Sequence, residues 1–152
     1  MRPKSPRLAV RAVIINEARL LLVNAYPAGQ SALLCAPGGG VEPGASLPDN
    51  LRREVHEETG LDISVGAPCL VNEFHDPQSG FHQVDIYFRC RLNGSARIDP
   101  DWQDREAIVS QWHWVSEAEL AGLQHKPDSL GAVAFGQPGE GLSYDPLEEI
   151  LR

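Results

Sequence analysis

The residues of this chain best suited to chemistry are three glutamates crowded into a short stretch, Glu54, Glu57 and Glu58, preceded by Arg53 and, upstream, by the glycine run Gly38-Gly39-Gly40. On a helix, at about 100° per residue, Glu54 and Glu58 stand one turn apart and all three fall within an arc of roughly 100°. Like charges so close repel one another and oppose the helix. Glu57 and Glu58 also lie toward its end, where the negative pole of the dipole disfavours anions. A divalent cation such as magnesium turns these penalties into attraction, because hard cations take carboxylate and carbonyl oxygens. The plainer alternative is a solvated acidic face with Arg52 and Arg53 as partners. Joined to a glycine run, where backbone can approach a ligand closely, that alternative is the weaker one.

These side chains need a helix and a turn to place them. Ser46 is an N-cap, with Asp49 three residues on as a capping-box partner. Pro48 falls in the first turn, where it is tolerated, and Gly60 sits where a helix ends in a left-handed residue. Leu47, Leu51 and Val55 form a neighbouring apolar arc, Arg52 and His56 point away, and the carboxylates are expected at the rim of the buried edge. Gly38 to Gly40 and Pro43-Gly44 are expected as a turn. The run from Gly39 to Ser46 also looks like a phosphate-binding loop, but Ala45 stands where that loop needs its lysine, so this reading is rejected.

From Gly39 to Leu61 the chain resembles the signature of the Nudix hydrolases (MutT-like enzymes). Gly39 matches the first glycine, and Arg53-Glu54-Val55, Glu57-Glu58 and Gly60-Leu61 match the whole second half. Ala45 replaces the first glutamate of that signature, which bears on metal occupancy and on the anchoring of Arg53. The resemblance implies an α/β fold, the Nudix α/β/α sandwich with a mixed β-sheet. It implies a pyrophosphohydrolase that cleaves a diphosphate linkage in a nucleoside diphosphate derivative, either a nucleotide triphosphate or an ADP-ribose-like substrate, with Mg2+ or alternatively Mn2+ as cofactor. Glu57 and Glu58 are then metal ligands, with the Gly38 carbonyl completing the set, and Glu54 is a further ligand or orients the attacking water. Arg53 positions a carboxylate by a bidentate contact, and Gly39 and Gly40 approach the substrate.

Family members often recruit a further acid from a later loop. Glu106 is the first choice here, ahead of Glu73, Asp85 and Asp104. His75 or His82 offers an acid or base near neutrality, though solvated strand ends are the commoner fate of such residues. Trp112 and Trp114 share a strand face, where packing is favoured over stacking on a base. Pro77 sits where the resemblance associates a proline with ADP-ribose hydrolases, but Asp-Pro also suits an ordinary hairpin loop. The extra motif of the coenzyme A subfamily is not visible.

The 152 residues suit one domain, 1–152, with a real core. A formal charge of −8 argues against nucleic acid as a partner. A small phosphorylated nucleotide is compatible, since bound metal reverses the local field. Cys35, Cys69 and Cys90 show no metal-site spacing and read as core thiols in a reducing compartment. The basic start, MRPKSPR, precedes an apolar stretch interrupted by Arg11, which does not make a signal peptide. No run is long enough to span a membrane. A cytoplasmic protein is expected, and a homodimer is left open.

In chain order, strands are expected over Leu8–Ile15, Arg19–Asn24 and Leu33–Ala36, then, after the helix, over Leu61–Val65, Cys69–Phe74, Phe81–Leu92 and Ile108–Val115. The segment from Asp76 to Gly80 reads as a turn. Ser116 with Glu119 makes a capping box for a short helix. Gly131 to Gly141 reads as a loop and Pro146 to Leu151 as a terminal helix. Two other functional classes compete with hydrolysis. One is a non-catalytic nucleotide-binding or regulatory module with a decayed signature, which the retained Glu54, Glu57 and Glu58 oppose. The other is cap removal from RNA, which the acidic balance disfavours.

Overall fold

The computed structural model describes residues 5–151, so residues 1–4 of the basic start, and residue 152, lie outside the described residues. Strands β1 (Arg7–Asn16) and β2 (Arg19–Asn24), both expected from the sequence, pair as a hairpin. Glu17 and Ala18 at its tip both take positive φ, the mirror-image turn whose twist suits paired strands. Two short strands follow, β3 (Leu34–Cys35) and β4 (Gly38–Gly40), and then helix α1 (Leu47–Thr59). A long hairpin, β5 (Ile63–Asp76) and β6 (Phe81–Leu92), leads to β7 (Trp112–Val115). Helices α2 (Glu117–Leu120) and α3 (Leu130–Ala134) and strand β8 (Ser143–Glu149) complete the described chain.

The strands form one mixed sheet in the order β3-β2-β1-β6-β5-β8, with β4 also paired to β1 and β7 to β2. The β1–β6 and β5–β8 pairs are parallel, and the others antiparallel. Alternation along β1 divides the core. Val10, Ala12 and Ile14 meet Leu51 and Val55 of α1 on one face, while Val13 meets Leu120, Leu130 and Val133 on the other. Helices thus cover both faces, the α/β/α sandwich that the resemblance implies.

The boundaries of α1 follow its sequence signals. The Ser46 hydroxyl accepts from the Asp49 amide at 3.1 Å, and Gly60 takes the left-handed conformation with its amide donating to the His56 carbonyl. The Asp49 carboxylate, expected to complete the capping box, lies against Arg52.

Other expectations change. Gly38 to Gly40 are not a turn but a strand, each residue paired with one of Arg11, Val10 and Ala9. The strands expected over Leu61–Val65 and Cys69–Phe74 are one strand, β5, which begins only at Ile63 and whose register shifts around Pro68. The strand expected from Ile108 begins only at Trp112, because side chains take the intervening amides. Asp104 accepts from Ile108 and Val109, and Asn24 from Ser110 and Gln111. The loop expected from Gly131 begins as α3. The terminal helix is instead β8, which satisfies the open edge of β5. Pro146, which cannot donate to a ladder, falls where the β5–β8 register shifts between Asn72 and Phe74.

The β1–β4 pairing is close because Gly38 has no side chain; a Cβ there would fall on the carbonyl oxygen of Val10. Backbone cannot yield as a flexible side chain does, so Gly38→Ala is expected to destabilise the fold by about 3 kcal/mol or more. Denaturant unfolding of the two proteins measures this.

Candidate active site

The sequence expectation placed the α1 carboxylates at a rim. Glu54 and Glu58 are in fact buried, at 6% and 8% exposure, and Glu57 is half-buried. Leu51 and Val55 turn into the core, and the helical repeat carries the neighbouring Glu54 and Glu58 down beside them. Strand β4 then covers this edge. The Gly38 amide donates to Glu58 Oε1 at 2.8 Å. A Cβ on Gly39 would lie 2.5 Å from Glu54 Oε2, so glycine is what lets the carboxylate press against the strand. Gly40 is close in the same way to the Arg7 guanidinium.

Burial sets the electrostatics. It pushes the Glu58 carboxyl up to about 8, against the pull of Arg11 and the Gly38 amide and with added push from Glu54 and Asp104. It also raises Glu54, where Arg53 opposes it and the charges of Glu106 and Glu57 add to it. Two carboxyls thus resist ionisation, and Glu58 also lies at the helix end least hospitable to anions.

Arginines offset part of this. Arg53 reaches Glu54 at 3.1 Å and Glu57 at 3.4 Å, and also Asn50 Oδ1 at 3.0 Å and Glu42 at 3.8 Å. Ala45 therefore does not leave Arg53 unanchored. Arg105 approaches Glu57 at 3.5 Å. Arg11, on β1, donates to the carbonyls of Ala36 and Gly38 at 3.2 and 3.5 Å. Burial works against its charge, but Asp85, followed by Cys35, Tyr87 and Glu58, outweighs burial and raises it.

Two tryptophans fix the last turns of α1. The Trp112 indole N–H donates to the Glu58 carbonyl at 2.9 Å, and that of Trp102 to the Glu57 carbonyl at 2.9 Å. These carbonyls lie at the helix end that lacks intrahelical donors. Trp112 and Trp114 both pack on the α1 side of the core, as favoured from the sequence. Asn50, almost fully buried, bonds the Glu42 amide and the Ala45 and Ser46 carbonyls, pinning the connection from β4 onto α1.

Glu106 lies exposed in the loop before β7, and its charge helps to raise the Glu54 carboxyl. Of the lower-ranked acids, Asp104 accepts the loop's own amides, and Glu73 is engaged by His82 and Tyr144. Asp85 lies on the other face of the sheet beside Arg11. His82 is engaged with Glu73 at 3.1 Å and its ring is tilted against that of His75, the ring centres 6.3 Å apart.

Sequence reasoning missed Arg11, Asn50, Trp102 and Arg105. Arg11 left one signal, a charged residue among the apolar residues of β1, which requires a buried partner.

Among the described residues no three carboxylate, imidazole or thiol groups converge on one point in this arrangement. The Arg53 guanidinium stands between Glu54 and Glu57, and the Gly38 carbonyl, expected as a ligand, faces Arg11. The donor chemistry fits a hard divalent cation all the same. It offers carboxylate oxygens, two of them on groups whose burial makes the ionised form costly.

The NUDIX domain family model matches residues 5–134. A Bacillus subtilis (strain 168) protein named uncharacterized Nudix hydrolase YvcI is 30% identical over 122 residues, 76% of this chain and 75% of that protein. Nucleoside diphosphate-linked moiety X motif 6 of Mus musculus is 29% identical over 98 residues, 64% of this chain but 30% of that protein. The chain spans less than half the length of several curated relatives that it matches. A solved structure titled NUDIX hydrolase from Nitrosomonas europaea superposes with a TM-score of 0.70 and 25% identity, covering 85% of this chain and 86% of that one.

Glu58 makes the folded protein sensitive to pH. Its carboxyl titrates at about 8 in the fold against an ordinary 4.5, so between these values the folded state keeps a proton that the unfolded state releases. Stability then falls as pH rises. In chelator, the melting temperature is expected to drop between about pH 5 and about pH 8, and Glu58→Gln to remove most of that slope.

Proposed function

We infer that the chain, which belongs to the Nudix hydrolase family, hydrolyses the diphosphate linkage of a nucleoside diphosphate joined to a second group. The observation that carries this reading is the clustering of Glu54, Glu57 and Glu58 on one edge of α1, two of them buried beneath a glycine strand. A solvated acidic face would not bury them.

A divalent cation, magnesium or manganese, would be held by Glu54, Glu57 and Glu58, and when bound supplies neutralisation of the phosphate oxygens and activation of water. The chain's own residues do the rest. The Gly38 amide fixes one oxygen of Glu58 and so its orientation. Arg53 holds Glu54 and Glu57 apart at a set spacing, with Asn50 and Glu42 as further partners. Glu106, on the loop before β7, would take a proton from the attacking water, and its charge raises the proton affinity of Glu54. Asp104 shapes that loop by accepting the amides of Glu106, Ile108 and Val109. Gly39 lets the backbone lie flat against Glu54, leaving no side chain between strand and carboxylate.

The test is a panel of nucleoside triphosphates, ADP-ribose, dinucleoside polyphosphates and capped RNA, assayed with magnesium, with manganese and in chelator. Turnover of at least one small nucleotide that is lost in chelator is expected; metal-independent binding without turnover would favour a non-catalytic module. Glu57→Gln is expected to lower kcat/KM by at least about a hundredfold. Glu106→Gln, at an exposed position, is expected to lower kcat about tenfold or more while changing stability by less than about 0.5 kcal/mol. Equal loss of stability and turnover at Glu106 would show that it only supports the loop. Gly39→Ala is expected to fold, since the clash is with a movable side chain, yet to lose most of its turnover by displacing Glu54.

A further inference from the structure

Both carboxylate oxygens of Glu57 face guanidinium groups. Arg53 Nη1 stands 3.4 Å from Oε2, and Arg105 Nη1 stands 3.5 Å from Oε1. An oxygen that faces a guanidinium is closed to a divalent cation, since like charges repel. The neighbouring carboxyls are engaged as well. Glu58 Oε1 accepts from the Gly38 amide, and Glu54 Oε1 faces Arg53 at 3.1 Å. One of the two arginines must therefore leave Glu57 before that residue can give an oxygen to a cation.

The two are held unequally. Arg53 also reaches Glu54, Asn50 Oδ1 at 3.0 Å and Glu42 at 3.8 Å. The Arg105 side chain is 81% exposed, and Glu57 is its one ion-pair partner among the described residues. Exposed pairs hold weakly because water competes for both charges, so Arg105 is the group that yields. Its main chain need not follow. The Asp104 carboxylate accepts the amides of Glu106, Ile108 and Val109, and the Asp104 carbonyl that of Ala107. The backbone around Arg105 is pinned, and side-chain rotation alone frees the guanidinium. The other arginines at this edge have fixed partners, Arg11 the carbonyls of Ala36 and Gly38, and Arg52 the Asp49 carboxylate.

We propose that Arg105 shields Glu57 in the cation-free protein, releases it when a divalent cation binds, and then takes the diphosphate group of the substrate. The diphosphate as substrate rests on the hydrolase reading; the shielding of Glu57 does not. A guanidinium suits the second task because its fork of N–H groups matches two phosphate oxygens. The two tasks give effects of opposite sign. On Glu57, Arg105 opposes the cation; off it, Arg105 attracts the anion. A side chain that only supported the loop would do neither, and a diffuse surface charge would be matched by another exposed arginine of the same edge, Arg52.

The experiment is titration calorimetry on the unmodified chain, Arg105→Gln and Arg52→Gln. Manganese is titrated alone, and then, at saturating manganese, methylenediphosphonate, a diphosphate that cannot be hydrolysed and carries no base. Arg105→Gln is expected to bind manganese about two- to fivefold more tightly, the scale of an exposed ion pair. It is expected to bind methylenediphosphonate about tenfold or more weakly, the scale of one charge-assisted contact. Arg52→Gln is expected to change neither affinity by more than about twofold. Manganese affinity unchanged or weakened in Arg105→Gln, no loss of methylenediphosphonate, failure of the unmodified chain to bind that probe, or equal changes in Arg52→Gln would each overturn the proposal and leave the hydrolase reading standing. Absence of manganese uptake by the unmodified chain would overturn both. Both expected shifts in a chain that turns over no nucleotide of the panel would overturn only the hydrolase reading.

Discussion

The constraint on which this structure depends is the burial of ionisable carboxyls on the second half of one helix. Low local polarity and mutual repulsion oppose the ionised forms of Glu54 and Glu58, and at Glu58 the helix dipole adds to them. A fold that maximised stability alone would place leucine there, since a buried charge without full compensation is strongly unfavourable. The protein instead surrounds these groups with partial compensation. The Gly38 amide and the Arg11 guanidinium at Glu58, and the Arg53 guanidinium at Glu54, reduce the penalty without removing it.

The surrounding architecture keeps that arrangement from relaxing. Strand β4 is held to β1 so closely that only hydrogen fits at Gly38. Asn50 pins the intervening connection, and α1 rests on the sheet through Leu51 and Val55. Its last turns are held from the other side by Trp102 and Trp112. Trp102 also lies over Gly60, where a Cβ would approach its ring to 2.9 Å, and meets His56 edge-on. Rigid elements on both sides are what a site needs if its carboxylates are to hold a geometry that their own repulsion would open.

Much of this was legible because the strongest signals are local. Ser46, Gly60 and the apolar repeat define α1 from within its own segment, and the β1–β2 hairpin and β6 follow from alternation and turn residues. What could not be read depends on distant partners. Pro146 to Leu151 has a helical look in isolation, but the open edge of β5 makes strand the better use of its backbone groups. Residues 108–111 have strand composition, yet the carboxylate of Asp104 and the amide of Asn24 take their N–H groups. Gly38 to Gly40 look like a turn because glycine allows one, whereas here glycine serves a close pairing of strands. The three glutamates were visible as a cluster, but their depth was not. Depth follows from where β4 lies, and Arg11 gains its meaning only once Gly38 and Asp85 are beside it.

The indole bonds to the carbonyls of Glu57 and Glu58 have an optical consequence. Indole emission responds to nearby charge and to the polarity around its N–H, and Trp102 and Trp112 are tied to Glu57 and Glu58 through their backbone carbonyls. The molecule therefore carries its own fluorophores at the acidic edge of α1. Neutralisation of that edge can be followed by light, without a dye, a label or a nucleotide.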